Sequence, residues 1–182
     1  LNGIIASGTM RNNLNLVSMA KPIEQAFRQK GIKAVALDIN SPGGSPVQSS
    51  LLFSRIRALA TEKNIPVFAF VQDVAASGGY WLACAADTIY ADANSIVGSI
   101  GVMSGGFGFQ DLMEKIGLER RLHVSGNRKS FLDPFLPEKK EDVARLKILQ
   151  AEIHESFKDL VRGRRSGKLL EDEENLFTGE FW

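Results

Sequence analysis

The feature that most restricts the fold is a strand, a glycine break and a helix in immediate succession. Ala34 to Ile39 is an apolar, β-prone run that stops at Asn40-Ser41-Pro42-Gly43-Gly44. Beyond the break, Val47, Leu51, Leu52, Ile56 and Leu59 recur at helical spacing on one face, and Val67 to Val71 forms a second continuous apolar run. A strand, helix, strand unit of this length implies parallel strands joined by a right-handed crossover. The chain is therefore expected to be an α/β protein with a parallel sheet flanked by helices.

The remaining pattern fits that class. Ile4 to Thr9 is predicted as a short strand, and Met19 to Gln29 as a helix closed by Gly31, with Pro22 acceptable only in its first turn. Gly79 to Ala86 is predicted as a buried helix, Thr88 to Ala91 as a strand, Phe109 to Lys115 as a short helix and Arg121 to Val124 as a strand. From Glu138 to Arg162, the residues Val143, Leu146, Gln150, Ile153, Phe157 and Leu160 make one stripe of a surface helix expected to pack on the sheet. At 182 residues with no repeat or linker, a single domain over 1–182 is expected.

Composition removes several functions. There are 22 Lys and Arg against 21 Asp and Glu, a formal net charge of +1, so no global field draws in nucleic acid or anionic lipid. No nucleic-acid partner is expected, and the clusters Arg120-Arg121 and Arg162 to Arg165 read as solvated surface. Cys84 is the only cysteine, hence without an internal disulfide partner, and reads as a small core residue. With only His123 and His154, both read as exposed, a multi-histidine metal cage is excluded and no metal or cofactor is expected. The longest uncharged stretch, Ala93 to Gln110, carries five glycines and reads as loop, not as a membrane span.

Two segments could carry chemistry. In Ser41-Pro42-Gly43-Gly44-Ser45, adjacent glycines after a parallel strand are either a tight turn or a place where backbone N–H groups meet an oxyanion. The spacing of a phosphate-binding P-loop is absent. In Val74-Ala75-Ala76-Ser77-Gly78-Gly79-Tyr80, a serine sits among small residues at a strand-to-helix turn. It either caps a buried helix or is a nucleophile with free N–H groups behind it. Ala75 stands two residues before Ser77, which departs from the Gly-x-Ser-x-Gly elbow. A nucleophilic serine needs a base, and a lysine can serve if it is kept neutral by burial. Lys129 lies just before apolar Phe131 and Leu132, where a buried amine is expected.

Four motifs in order, Asn40-Ser41-Pro42-Gly43-Gly44, Val74 to Tyr80, Ile96-Val97-Gly98-Ser99-Ile100-Gly101-Val102, and Ser125-Gly126 with Lys129 and Asp133-Pro134-Phe135, resemble the signature of the SppA and SohB signal peptide peptidases. Those belong to the ClpP-like superfamily, related in fold to crotonases. The resemblance runs from about Ala34 to the chain end, and it implies a sheet built from repeated ββα-type units. It implies Ser77 as nucleophile, Lys129 as base, the N–H groups of Gly44 and Gly78 as oxyanion hole, Gly43 shaping the turn, and Ser99 orienting the lysine amine. Where the ClpP peptidases carry a base histidine, this chain has Val102 and Met103.

The resemblance further implies a homo-oligomer in which Lys129 reaches Ser77 of a neighbouring copy. The substrates would be cleaved signal peptides and other hydrophobic peptides, bound in an apolar groove lined by the strand ends and by Val102 to Phe109. It places the catalytic part of the protein at a bacterial inner membrane, on the periplasmic side, with an anchor preceding Leu1 and a short segment following Trp182. The alternatives are a phage-type capsid-maturation protease of the same family, a crotonase-like acyl-CoA enzyme, and an inactive ClpP-like scaffold.

Overall fold

In the computed structural model, which describes residues 1–8, 13–126, 128–169 and 173–182, the crossover unit forms as expected. In chain order the elements are α1 (Leu16–Phe27), β1 (Val35–Ser41), α2 (Pro46–Lys63), β2 (Val67–Ala76), α3 (Gly78–Ala83), β3 (Thr88–Ala91), β4 (Ile96–Gly98), α4 (Gln110–Lys115), α5 (Lys140–Arg164) and α6 (Glu173–Leu176). They divide into two units, residues 1–101 with 154–182, and residues 102–153.

In the first unit β2 is central. β1 pairs with it in parallel from Val35↔Val67 to Ile39↔Val71. On its other side β2 takes two short parallel strands end to end: β3 from Phe68↔Thr88 to Val71↔Ala91, then β4 from Val74↔Ile96 to Ala76↔Gly98. The outer edge of β4 is closed by residues 180–182, where the Val97 and Trp182 backbones exchange hydrogen bonds of 2.7 and 2.8 Å. β4 lies inside the stretch read as glycine-rich loop. Three residues make too short a period to register in the sequence, and pairing with β2 and 180–182 is what makes them a strand.

Alternation along the strands sorts the two faces. Val35, Leu37, Ile39, Val67, Ala69 and Val71 are buried against α2, which contributes Leu52, Ile56 and Leu59 to the same core. Each fully buried aliphatic side chain of this kind contributes about 1.5–3 kcal/mol. Val47 and Leu51, expected on the same face of α2, are exposed instead. At 100° per residue they lie about a quarter turn or more from the stripe of Ser49, Leu52, Ile56 and Leu59 that is buried. Ser45 caps α2 and Asn64 ends it at φ +51.

Several expectations are corrected. α1 starts at Leu16, three residues early, because Asn15 and Ser18 form a reciprocal capping box. Pro22 therefore lies inside the helix. Residues 4–8 make isolated bridges rather than a strand, Ile5 pairing with both Leu14 and Gly44, and Thr9 lies outside the described residues. Residues 121–124 are not a strand; Leu122 and Val124 are exposed, and among the described residues no ladder partner reaches them. The C-terminal half of α5 packs on α3 and the turn after β4, not on the sheet, through Phe157, Val161, Trp81, Cys84 and Ile100. Arg164 is no solvated surface residue: its Nε donates to the Cys84 carbonyl at 2.9 Å and its Nη2 to the Ala86 carbonyl at 3.0 Å. The Cys84 carbonyl sits at the C-cap of α3, which leaves it without an intrahelical donor, and Ala86 lies in the turn just beyond.

The second unit holds α4, the first part of α5 and a long irregular segment. Arg120 pairs with Asp133 at 2.8 Å and lies over the Phe135 ring, which stacks on Phe109. Asp142, in the first turn of α5, is buried and accepts the Leu132 N–H at 3.3 Å. Among the described residues no helix is long and apolar enough to cross a membrane.

One exposed ion-pair cluster at the sheet edge gives a pH prediction. Burial alone would raise the Asp87 carboxyl, but the Val67 N–H, Arg164 and Arg57 together hold it below the ordinary aspartate value. A carboxylate depressed in the folded state stabilises above its unfolded pKa and loses that contribution as the pH falls through the folded one. Asp87→Asn is expected to cost about 1 kcal/mol at pH 7. In urea titrations the wild type and variant should converge as the pH drops below about 3.9.

Candidate active site

The site is built where β1 and β2 end side by side. β1 runs into Pro42-Gly43-Gly44 and β2 into Ser77, so both turns emerge at the carboxyl ends of adjacent parallel strands, where α/β sheets form sites. Ser77 has φ +52 and ψ −122, a region that costs a residue other than glycine about 1–3 kcal/mol. Its N–H is held by the Gly98 carbonyl at 2.8 Å, and it directly precedes α3. Its side chain caps nothing, which removes the capping reading. The serine is half-buried.

The glycine turn is pressed against this serine. Gly43 has φ +98, and a Cβ there would lie 2.7 Å from the Ala76 oxygen, 2.7 Å from the Gly78 nitrogen and 2.8 Å from the Ser77 Cβ. Gly44 has φ +141, and its Cβ would meet the Ile5 oxygen at 2.0 Å. The Ile5 backbone brackets Gly44 by accepting from Ser45 N–H at 2.7 Å and donating to the Gly43 carbonyl at 2.8 Å. Ser41, fully buried, accepts the Gly43 N–H at 3.2 Å. A Cβ built on Gly78 would be 3.3 Å from the Gly44 nitrogen. Gly78 opens α3, where N–H groups have no intrahelical acceptor, so the Gly44 and Gly78 nitrogens sit together beside Ser77.

Ser99 follows the carbonyl that holds Ser77. It has φ +52, is half-buried, and donates its N–H to the Glu180 carbonyl at 2.7 Å. His154, read from sequence as exposed, is half-buried, with Nε2 2.9 Å from the Ile100 carbonyl. It faces inward because α5 turns its Phe157 side onto α3. His123 is exposed and belongs to the second unit. Tyr80 and Cys84 lie on the helix behind Ser77. Burial pushes the Tyr80 phenol up to about 12, with Cys84 adding to the effect against Arg165, and burial likewise pushes the Cys84 thiol up to about 12.

Lys129 belongs to the second unit. Its N–H donates to the Gly126 carbonyl at 3.0 Å, and its side chain is exposed in the single chain, not buried beside Phe131 and Leu132 as the sequence predicts. Those two side chains are only half-buried themselves and do not close over it. The same unit has a cleft of about 680 Å³ lined by the segment 104–111 and by Leu132, Pro134 and Asp142 among others. Its walls mix Phe107 and Phe109 with the carboxylates Asp111, Asp133, Glu138 and Asp142.

Sequence reading missed Ile5 and His154. Neither carried a signal, because each meets its partner through backbone atoms far away in the chain.

Fold and glycine turns define an α/β protein with a strained serine at the carboxyl end of a parallel strand and two backbone N–H groups beside it. Residues 60–174 match the profile described as Peptidase family S49. The span includes Ser77, Ser99 and Lys129 and begins after the Gly43-Gly44 turn. The chain belongs to peptidase family S49. It is 56% identical to a Brucella abortus protein named Na(+)/H(+) antiporter NhaA, over all of this chain and 25% of that protein. It is 38% identical to the chloroplastic serine protease SPPA of Arabidopsis thaliana, over 68% of this chain and 18% of the relative. With Protease 4 of Haemophilus influenzae the identity is 32%, over 91% and 26%. Other relatives are named SppA and SohB. The chain thus spans about a quarter or less of these three proteins.

The turn predicts its own sensitivity. Gly43→Ala forces a Cβ into the Ser77 backbone and should cost about 3 kcal/mol through strain and displacement. Differential scanning calorimetry is expected to register it as a drop of several degrees in Tm, while Gly105→Ala, where a Cβ meets nothing within 4 Å, leaves Tm unchanged.

Proposed function

We propose that this chain is the catalytic portion of a serine endopeptidase that works with a Ser-Lys dyad on hydrophobic peptides, cleaved signal peptides among them. The observation that carries this reading is the strained Ser77, with Gly43 packed on it and the Gly44 and Gly78 nitrogens at its side. A backbone kept in a costly conformation by its surroundings, with the side chain free of capping bonds, suits a prepared nucleophile.

In this mechanism neutral Lys129 takes the Ser77 hydroxyl proton as Oγ attacks the peptide carbonyl. The Gly44 and Gly78 N–H groups hold the tetrahedral oxyanion, where donors placed in advance count most. As the C–N bond breaks, the lysine returns its proton to the leaving amine. Water then adds to the acyl-enzyme with Lys129 again as base, and Ser77 is regenerated.

A lysine base must be neutral, and removal from water favours that state. Exposure of Lys129 in the single chain is compatible with a dyad completed between copies, in which a neighbouring subunit covers the amine and presents Ser77, with Ser99 hydrogen-bonding to the lysine. The reading takes the enzyme as a homo-oligomer. A membrane-associated, periplasmic setting is part of the same proposal and rests on the resemblance to signal peptide peptidases alone.

Hydrolysis of a fluorogenic hydrophobic peptide at pH 8 tests the dyad. Ser77→Ala and Lys129→Ala should each lower kcat by about 10³-fold or more. Mixing the two inactive variants should restore part of the activity after subunit exchange. Full activity in either single variant would refute the dyad, and no recovery in exchanged mixtures would refute its division between subunits.

A further inference from the structure

The turn after β4 is a second place where the backbone leaves the ordinary range for L-residues. Gly98 has φ +99 and Ser99 φ +52. Yet the Gly98 carbonyl is the group that holds the Ser77 N–H, at 2.8 Å. That carbonyl can fix the serine only if the peptide planes on both sides of it are themselves fixed.

On the near side they are. Val97 pairs with β2 through β4 and with Trp182 through a reciprocal pair of backbone hydrogen bonds. On the far side the Ser99 N–H is held by the Glu180 carbonyl at 2.7 Å, and the next carbonyl, that of Ile100, lies 2.9 Å from His154 Nε2. Among the described residues this is the one side-chain hydrogen bond to the backbone of residues 96–101. A carbonyl oxygen can only accept, so Nε2 carries a proton and donates.

The helix that delivers this imidazole is tied to the serine from behind. His154 stands three residues before Phe157 on α5, and the Phe157 ring stacks on Trp81 of α3 at 4.7 Å between centroids. α3 begins directly after Ser77. The contacts therefore close a circuit: Ser77 to α3, Trp81 to Phe157, His154 to the Ile100 carbonyl, and back through Ser99 and Gly98 to the Ser77 N–H.

We propose that His154 is a positioning residue for Ser77: by donating Nε2–H to the Ile100 carbonyl it fixes the 98–100 turn, and with it the carbonyl that holds the serine backbone in its reactive conformation. His154 takes no proton from substrate and touches no reacting atom. The assignment rests on the reading of Ser77 as the nucleophile, and it gives one of the chain's two histidines a task outside acid–base chemistry.

The experiment uses His154→Leu, which fills similar space without a donor, and His154→Gln, whose side-chain amide can donate to the same carbonyl. Three quantities are measured: kcat and KM on the fluorogenic peptide, the rate of Ser77 labelling by a serine-directed fluorophosphonate, and hydrogen exchange of the Ser77 amide. His154→Leu should lower kcat and labelling rate about tenfold with KM changed less than twofold, because a small misplacement of a reacting group is costly. It should also speed exchange at Ser77, and His154→Gln should recover most of each loss. Phe27→Leu, in the distant core of α1, supplies the stability control and should lower Tm without lowering kcat. Equal labelling and equal Ser77 exchange in wild type and His154→Leu would overturn the proposal. So would a fall in kcat matched by the Phe27→Leu control at equal loss of Tm. If wild-type Ser77 is not labelled at all, the nucleophile reading falls, and Ser77 amide exchange alone decides whether His154 fixes that backbone.

Discussion

Everything around Ser77 depends on the close approach of two turns. β1 and β2 run parallel and end side by side, so the turns that follow them compete for one volume, and Gly43 yields it by having no side chain. The contact does two things at once. It presses the 76–78 backbone into place behind a serine that would otherwise relax out of its positive-φ conformation. It also brings the Gly44 nitrogen next to Gly78, so that both backbone nitrogens and Ser77 are set by one steric contact. The N-terminal segment extends the arrangement, since Ile5 clamps Gly44 from the opposite side.

The surroundings of α3 serve the same end by stiffening the helix that begins at the serine. Trp81 stacks on Phe157, Arg164 binds the carbonyls at the helix end, and Arg57 and Arg164 share Asp87 where the chain enters β3. A basic cluster that looks from sequence like solvated surface is here partly a C-terminal cap. Arginine can do this because one planar guanidinium offers several donors in fixed directions, enough for two carbonyls and a carboxylate together. Periodicity carries no trace of such a role, because it depends on which helix end α5 happens to approach.

Much of the first unit was legible because its physics is local. The apolar runs at 35–39 and 67–71, the breaker cluster between them and the helical spacing of Leu52, Ile56 and Leu59 each operate within a few residues. Legibility failed where a partner distant in sequence decides the outcome. β4 is a strand only because β2 and residues 180–182 flank it, whereas residues 121–124 have the right composition and, among the described residues, nothing to pair with. Val47 and Leu51 are apolar and still exposed, since at 100° per residue they lie about a quarter turn or more from the buried stripe of Ser49, Leu52, Ile56 and Leu59.

The amino-acid sequence alone determined the α/β class, the parallel crossover and the candidacy of Ser77, Gly43, Gly44 and Gly78, because breakers and periodicity act at short range. Its motifs also singled out Lys129. Only the tertiary structure decided that Ser77 is strained and not a helix cap, that a Cβ on Gly43 has no room, that Lys129 is exposed in the single chain, and that His154 turns inward to the Ile100 carbonyl. Those outcomes follow from the meeting of segments far apart along the chain, and a linear pattern holds no record of such meetings.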